Sequence, residues 1–220
     1  LQVTSCNKED TLEDVTINNS SPKNVIVKDG KHSFLLNPSI STTIDGTLTM
    51  KNGIIESSKD SMLRIGLNGK VKGASKKGHI KGPFFDLGNN GDCMAFQLVN
   101  NNVLRKVEIL DAQVTDDFTV SYNNQAYKPN SLAGSLKGVS KVGYWQISPK
   151  NKIKGNRRVA LNWTNMRNEG ITDTSSLVVA HYKNGKWKNA KQSEMVLRKD
   201  SSGYVISKKI GNFSPFTFGT

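Results

Sequence analysis

The chain has 220 residues, 35% of them hydrophobic, and a formal net charge of +13. That length can bury a core, in one large domain or two small ones. No apolar run approaches the roughly 20 residues that a bilayer-crossing helix needs, which excludes a membrane span of that kind. Hydrophobic content this low is meagre for a compact enzyme and ordinary for a β protein with one face in water.

Residues 1–14 are polar and read as irregular. No signal peptide is visible, so the chain reads as a processed product or a fragment of something longer. Cys6 and Cys93 fit no zinc-knuckle or CxxC spacing. They read as two unpaired thiols, with a single disulfide, or a lipid anchor on Cys6 after Val3-Thr4-Ser5, as the alternatives.

From Val15 to about Phe84 short apolar runs alternate with sharp turns. Val15-Thr16-Ile17, Val25-Ile26-Val27, Thr47-Leu48-Thr49-Met50, Ile54-Ile55, Met62-Leu63-Arg64-Ile65 and Lys70-Val71 are separated by Asn18-Asn19, Asp29-Gly30, Asp45-Gly46, Asn52-Gly53, Asn68-Gly69 and Lys72-Gly73. This is strand, turn, strand with no room for a helix, and such repeats build stacked sheets and extended surfaces. Met94 to Val99 and Leu104 to Leu110 then read as a hairpin across Asn100-Asn101-Asn102, followed by a strand at Phe118-Tyr122. Residues 123–140, rich in Asn, Ser and Gly, read as a connecting loop.

From Val142 the strands lengthen: Tyr144-Ile147, Arg158-Trp163, Leu177-Tyr182, Gly203-Ser207 and Phe213-Phe218. Asn184-Gly185 is the strongest hairpin signal, because a type I′ turn needs positive φ at both central residues. The resulting expectation is an all-β chain: a glycine-turn β-solenoid-like repeat with a terminal hairpin over 1–122, a connection over 123–140, and an antiparallel β-sandwich over 141–220.

Chemistry is sparse in this pattern. His32, His79 and His181 pair with no other His or Cys at ligand spacing, and no GxSxG, HExxH or P-loop sequence occurs. Asp116-Asp117 are adjacent and suit turns better than acid–base work. Asp86 to Asp92 has the composition of a calcium loop and equally of a plain turn. No catalytic residue, metal or cofactor is expected, and the chain is not read as an enzyme.

The charge is uneven. Residues 111–220 hold 17 Lys+Arg against 7 Asp+Glu, and residues 1–110 hold 14 against 11. Such a field favours polyanions. The plainer reading is a solvated lysine surface that keeps strand edges from pairing. Among the aromatics, Trp163 and Tyr182 read as core. Trp187, between Lys186 and Lys188 after a hairpin turn, reads as the exposed ring, available to stack on a sugar. Candidate anion or glycan ligands are therefore Trp187, Lys183, Lys186, Lys188, Arg157 and Arg158. Nucleic acid is not an expected partner, since no ribonucleoprotein-type aromatic pattern occurs.

The motifs Val142-Gly143-Tyr144-Trp145-Gln146-Ile147-Ser148-Pro149, Val159-Ala160-Leu161-Asn162-Trp163, Leu177-Val178-Val179-Ala180-His181-Tyr182 with Trp187, and Phe213-Ser214-Pro215-Phe216-Thr217-Phe218-Gly219 resemble, in that order, a module of secreted and surface proteins of the Bacteroidetes. Leu12 to Ser20, Gly46 to Ile55 and His79-Ile80-Lys81-Gly82-Pro83 resemble the segment that precedes it. The resemblance implies a β-solenoid joined to a β-sandwich, exported through the type IX secretion system, in large adhesin-like proteins at the bacterial outer surface. The implied role is adhesive or structural, with an acidic polysaccharide or another cell-surface component, neighbouring domains of a longer chain or further copies as partners. A carbohydrate-binding module for an acidic glycan is the alternative. The family supplies no shared catalytic residues, and this chain departs from its usual tone by being strongly basic.

Overall fold

The computed structural model describes residues 42–58, 60–86, 93–100, 102–113 and 115–220, together with the strand segments Gln2–Val3, Val15–Ile17, Val25–Val27 and Ser33–Leu36. It is all-β, and the chain divides into two compact units, Leu1–Leu104 and Arg105–Thr220.

The first unit contains β1 (Gln2–Val3), β2 (Val15–Ile17), β3 (Val25–Val27), β4 (Ser33–Leu36), β5 (Thr43–Ile44), β6 (Thr47–Met50), β7 (Gly53–Glu56), β8 (Leu63–Ile65), β9 (Lys70–Lys72), β10 (Gly78–Lys81), β11 (Pro83–Asp86) and β12 (Cys93–Asn100). The first eleven strands fall into three ladders, β1-β3-β6-β9, β2-β4-β7-β10 and β5-β8-β11, and every pair in them is parallel. Val25 faces Leu48 and Thr47 faces Lys70, a step of 23 residues each time. Thr43 faces Arg64 and Leu63 faces Phe84, a step of 21. From β3 onward the chain visits the three ladders in turn.

Each strand is only long enough to send one or two side chains inward. In β6 these are Leu48 and Met50, in β8 Leu63 and Ile65, with Thr47, Thr49 and Arg64 less buried between them, as strict alternation requires. Parallel register then stacks like on like: Ile55 on Ile80, Leu63 on Phe84, Ile44 on Ile65, all buried. Each fully buried side chain of this size contributes about 1.5–3 kcal/mol.

One corner is tied by Ser57. Its hydroxyl donates to the Pro83 carbonyl at 2.5 Å and accepts from Leu63 N–H at 3.0 Å, while its own N–H bonds Lys81 O at 2.8 Å. Gly82 turns that corner at φ 101°, and a Cβ there would run into the Ser57 carbonyl. At the far end β12 folds back antiparallel on β11, and Gln97 Oε1 accepts from the Ile80 N–H of β10 at 3.0 Å.

The second unit contains β13 (Val103–Leu110, whose first two residues precede the boundary), β14 (Phe118–Asn123), β15 (Leu132–Ala133), β16 (Tyr144–Pro149), β17 (Arg158–Trp163), a 3-10 turn at Met166–Glu169, β18 (Val178–Lys183), β19 (Lys186–Asn189), β20 (Gln192–Leu197), β21 (Gly203–Ser207) and β22 (Pro215–Gly219). β13, β17, β21 and β20 form one antiparallel set. β14-β16-β22-β18-β19 form another, edged by the two-residue β15, which runs parallel to β19. Phe218 of β22 meets Trp163 of β17 edge-on at 5.7 Å and Trp145 of β16 at 5.4 Å, so aromatic rings link the two sets.

The segment 123–140 is more than a connection. Tyr127 lies 4.9 Å from Tyr144, 4.6 Å from Tyr182 and 5.6 Å from Trp187, ring to ring. Leu136 is buried in the same cluster, with Val139 packed beside it. A polar stretch thus carries three apolar side chains that cover one face of the β16-β22-β18-β19 sheet.

Candidate functional site

The β18–β19 hairpin carries the basic residues singled out in the sequence. Its turn has Asn184 at φ 54° and Gly185 at φ 75°, the two positive values a type I′ turn needs. Register pairs Lys183 with Lys186 and His181 with Lys188, so the three lysines share one face, and all are exposed. Beyond β19, the Asn189 side chain accepts from Lys191 N–H at 2.7 Å and holds that lysine at φ 58°. Between this bend and β15 lies a concavity of about 350 Å³ lined by Ala133, Gly134, Ser135, Lys188, Asn189 and Lys191. The Asn189 amide donates to Ser135 Oγ at 3.4 Å within it, so the two lysines are what this concavity offers an anionic ligand.

Trp187 is not part of that surface. It pairs with Tyr182 on the opposite face of the hairpin and is 1% exposed. Tyr127 and Leu136 cover it, so no ring face is open for stacking on a sugar. Arg157 and Arg158 also differ from expectation. Arg157 is 4% exposed and makes a bidentate pair with Asp116 at 2.7 and 3.0 Å. Arg158 makes the same fork with Asp111, both bonds 2.9 Å, half-buried. Asp116 also accepts from Gln113 N–H at 2.9 Å, closing a turn. These arginines hold the sheet ends and are occupied by carboxylates.

Five other carboxylates of this unit are also committed internally. Glu108 meets Lys106 at 2.7 Å and Glu169 meets Arg105 at 3.1 Å. Asp173 accepts from Ser175 and Ser176, Asp200 from Ser202, and Glu194 from Tyr204. Lys183, Lys186, Lys188 and Lys191 make no ion pair among the described residues.

Burial sets the remaining ionisations. Glu169, 2% exposed, is pushed up to about 7 by loss of water, against the pull of Arg105 and the Tyr122 hydroxyl at 3.3 Å. Tyr122 is itself raised by burial, with Arg105 lying 4.1 Å over its ring. His181 stacks flat on Phe216 at 4.4 Å, and burial, helped by Lys183, lowers it to about 4. Asp111 is held below the usual carboxylate range by its hydrogen bonds from Arg158. Cys93 is buried, and its pairing with Cys6 lies outside the described residues, as does the loop at 87–92 weighed for calcium.

Sequence reading missed Asn189, which stands beside Lys188 on β19, and Ser135, which joins the lysines because β15 pairs with β19 across a long separation. Among the described residues no helix is long and apolar enough to cross a membrane. No family model, curated protein or solved structure matches the chain.

Proposed function

We propose that the chain is a non-enzymatic module of an exported bacterial surface protein, adhesive or structural in role, whose basic hairpin edge meets an acidic polysaccharide. In this reading the first unit is a β-solenoid and the second an antiparallel β-sandwich. The three parallel ladders, visited in turn with steps of 19 to 25 residues, support the solenoid, and the rings shared by two antiparallel sets support the sandwich. The order of glycine and aromatic motifs supports export of the type IX kind.

The observation that carries the partner is the internal use of carboxylates beside four lysines that have no ion-pair partner among the described residues. A polyanion laid along Lys183, Lys186, Lys188 and Lys191 displaces loosely held small ions, and the attraction is screened as salt rises, the Debye length falling from about 10 Å at 0.1 M to about 3 Å at 1 M. With Trp187 inside, recognition is ionic and hydrogen-bonded rather than stacked. The test is retention of the full chain on immobilised polygalacturonate and on neutral dextran. Retention on the acidic matrix at low salt and release at about 1 M is expected. Replacing all four lysines by glutamine removes four contacts of about 0.2–1 kcal/mol each, so affinity falls between about fourfold and several hundredfold. Equal retention on dextran, or an unchanged affinity of the lysine variant, refutes the assignment.

A further inference from the structure

Glu108 holds two chemically different side chains at once. Its Oε1 lies 2.7 Å from Lys106 Nζ, and its Oε2 accepts from Asn162 Nδ2 at 2.9 Å. Lys106 and Glu108 stand two apart on β13 and so face the same side. Glu108 pairs with Ala160 and Val107 with Leu161. The same ladder carried one residue further sets Lys106 opposite Asn162, where antiparallel neighbours have Cβ atoms about 4.5–5.5 Å apart. The Glu108 side chain is 9% exposed and that of Lys106 27%.

An ion pair needs only the lysine and the glutamate. Here a carboxamide shares the carboxylate, and it does so through the nitrogen that would have to leave if its carbonyl carbon were attacked. One carboxylate therefore touches both atoms between which a proton must travel in an amide exchange: the amine that gives it up and the amide nitrogen that takes it. We propose that Lys106 and Asn162 become joined by an intramolecular amide bond, with Glu108 as the proton carrier.

The steps balance without an external reagent. Glu108 takes a proton from the Lys106 ammonium, and the neutral Nζ attacks Asn162 Cγ. The new Nζ–Cγ bond forms as the Cγ–Nδ2 bond breaks. Glu108 returns the proton to the departing nitrogen, and with the second proton lost by Nζ the group leaves as ammonium. Nothing is oxidised or reduced. The product staples β13 to β17 within one sheet by a bond that heat and denaturant do not open.

The intact mass of the purified full chain tests this, followed by peptide mapping. A mass short by one ammonia is expected, with a branched peptide linking the segments around Lys106 and Asn162. Lys106→Arg keeps a cation beside Glu108 and so keeps the fold, and it restores the full mass. Glu108→Ala also restores it if folded, and the arginine variant decides if it is not. A wild-type chain of full mass after prolonged incubation at neutral pH, with Lys106 open to acetylation, overturns the proposal. A deficit that persists in Lys106→Arg overturns it equally, since the ammonia was then lost elsewhere.

Discussion

Replacing Trp187 by alanine separates a buried ring from a sugar-stacking one. The side chain is 1% exposed and contacts Tyr127 and Tyr182 at 5.6 and 5.4 Å. Truncating a buried Trp to Ala costs about 3–5 kcal/mol through lost transfer energy and the cavity left behind. Part of that is returned, because the buried Trp187 Nε1 has no hydrogen-bond partner and its removal relieves a penalty of about 1 kcal/mol, the low end for an indole N–H. The net expectation is a loss of about 2–4 kcal/mol, and at about 4 °C per kcal/mol for a unit of this size the melting temperature falls about 8–16 °C. Trp187→Phe keeps a ring and removes the unpaired N–H, so its cost stays within about 1 kcal/mol. Circular dichroism melts give the first quantity, and polygalacturonate binding measured well below both transitions gives the second. Stability that falls with binding intact is the expected pair. An unchanged melting temperature with binding lost would refute the burial argument and restore the exposed ring.

Asp116→Asn strands the Arg157 charge in an interior site and costs about 3–5 kcal/mol in urea unfolding, whereas Asp111→Asn, beside the half-buried Arg158, costs at most about 1 kcal/mol. Two groups give opposed pH dependences. Glu169 titrates near 7 when folded, above the ordinary glutamate value of 4.5, so its contribution to stability is full below 4.5 and is lost as pH rises through 7. His181 titrates near 4 when folded, below the ordinary histidine value of 6.5, so its contribution is full above 6.5 and is lost as pH falls through 4. Between 4.5 and 6.5 the slopes offset. Glu169→Gln therefore leaves a chain that loses about 1.4 kcal/mol per pH unit on acidification there, and thermal melts across that window check it. Gln97→Leu leaves the buried Ile80 N–H without its acceptor, costs about 1–3 kcal/mol, and shows as faster hydrogen exchange at that amide.

What could be read in advance was local. Asn184-Gly185 announced its turn because backbone φ is a property of those two residues alone. Alternation in Thr47 to Met50 announced its inward side chains for the same reason. Alternation also put Lys186 and Lys188 on the face opposite Trp187, but not which face was wet. That depended on Tyr127 and Leu136, far upstream in a stretch whose Asn, Ser and Gly content reads as solvent. Arg157 failed in the same way. A basic run reads as surface, and its partner Asp116 stands 41 residues earlier. The 3-10 turn at Met166–Glu169 is too short for a helical period, though Asn165 as its N-cap and Gly170 at φ 66° mark its two ends. The proposed basic edge was legible as lysines and not as a concavity, because Ser135 reaches it through strand pairing rather than sequence proximity.

The Gln97 contact with Ile80 and the fold-back of β12 have an evolutionary consequence. Both act on the last turn of the ladders and on nothing earlier. A duplication or deletion of one step of the ladders upstream would leave that closing arrangement intact, and each inserted turn would meet neighbours of the same register. The number of ladder steps is therefore free to drift while that closing arrangement is kept, so that the repeat can lengthen or shorten by simple gene-level slippage without a new terminus having to be invented.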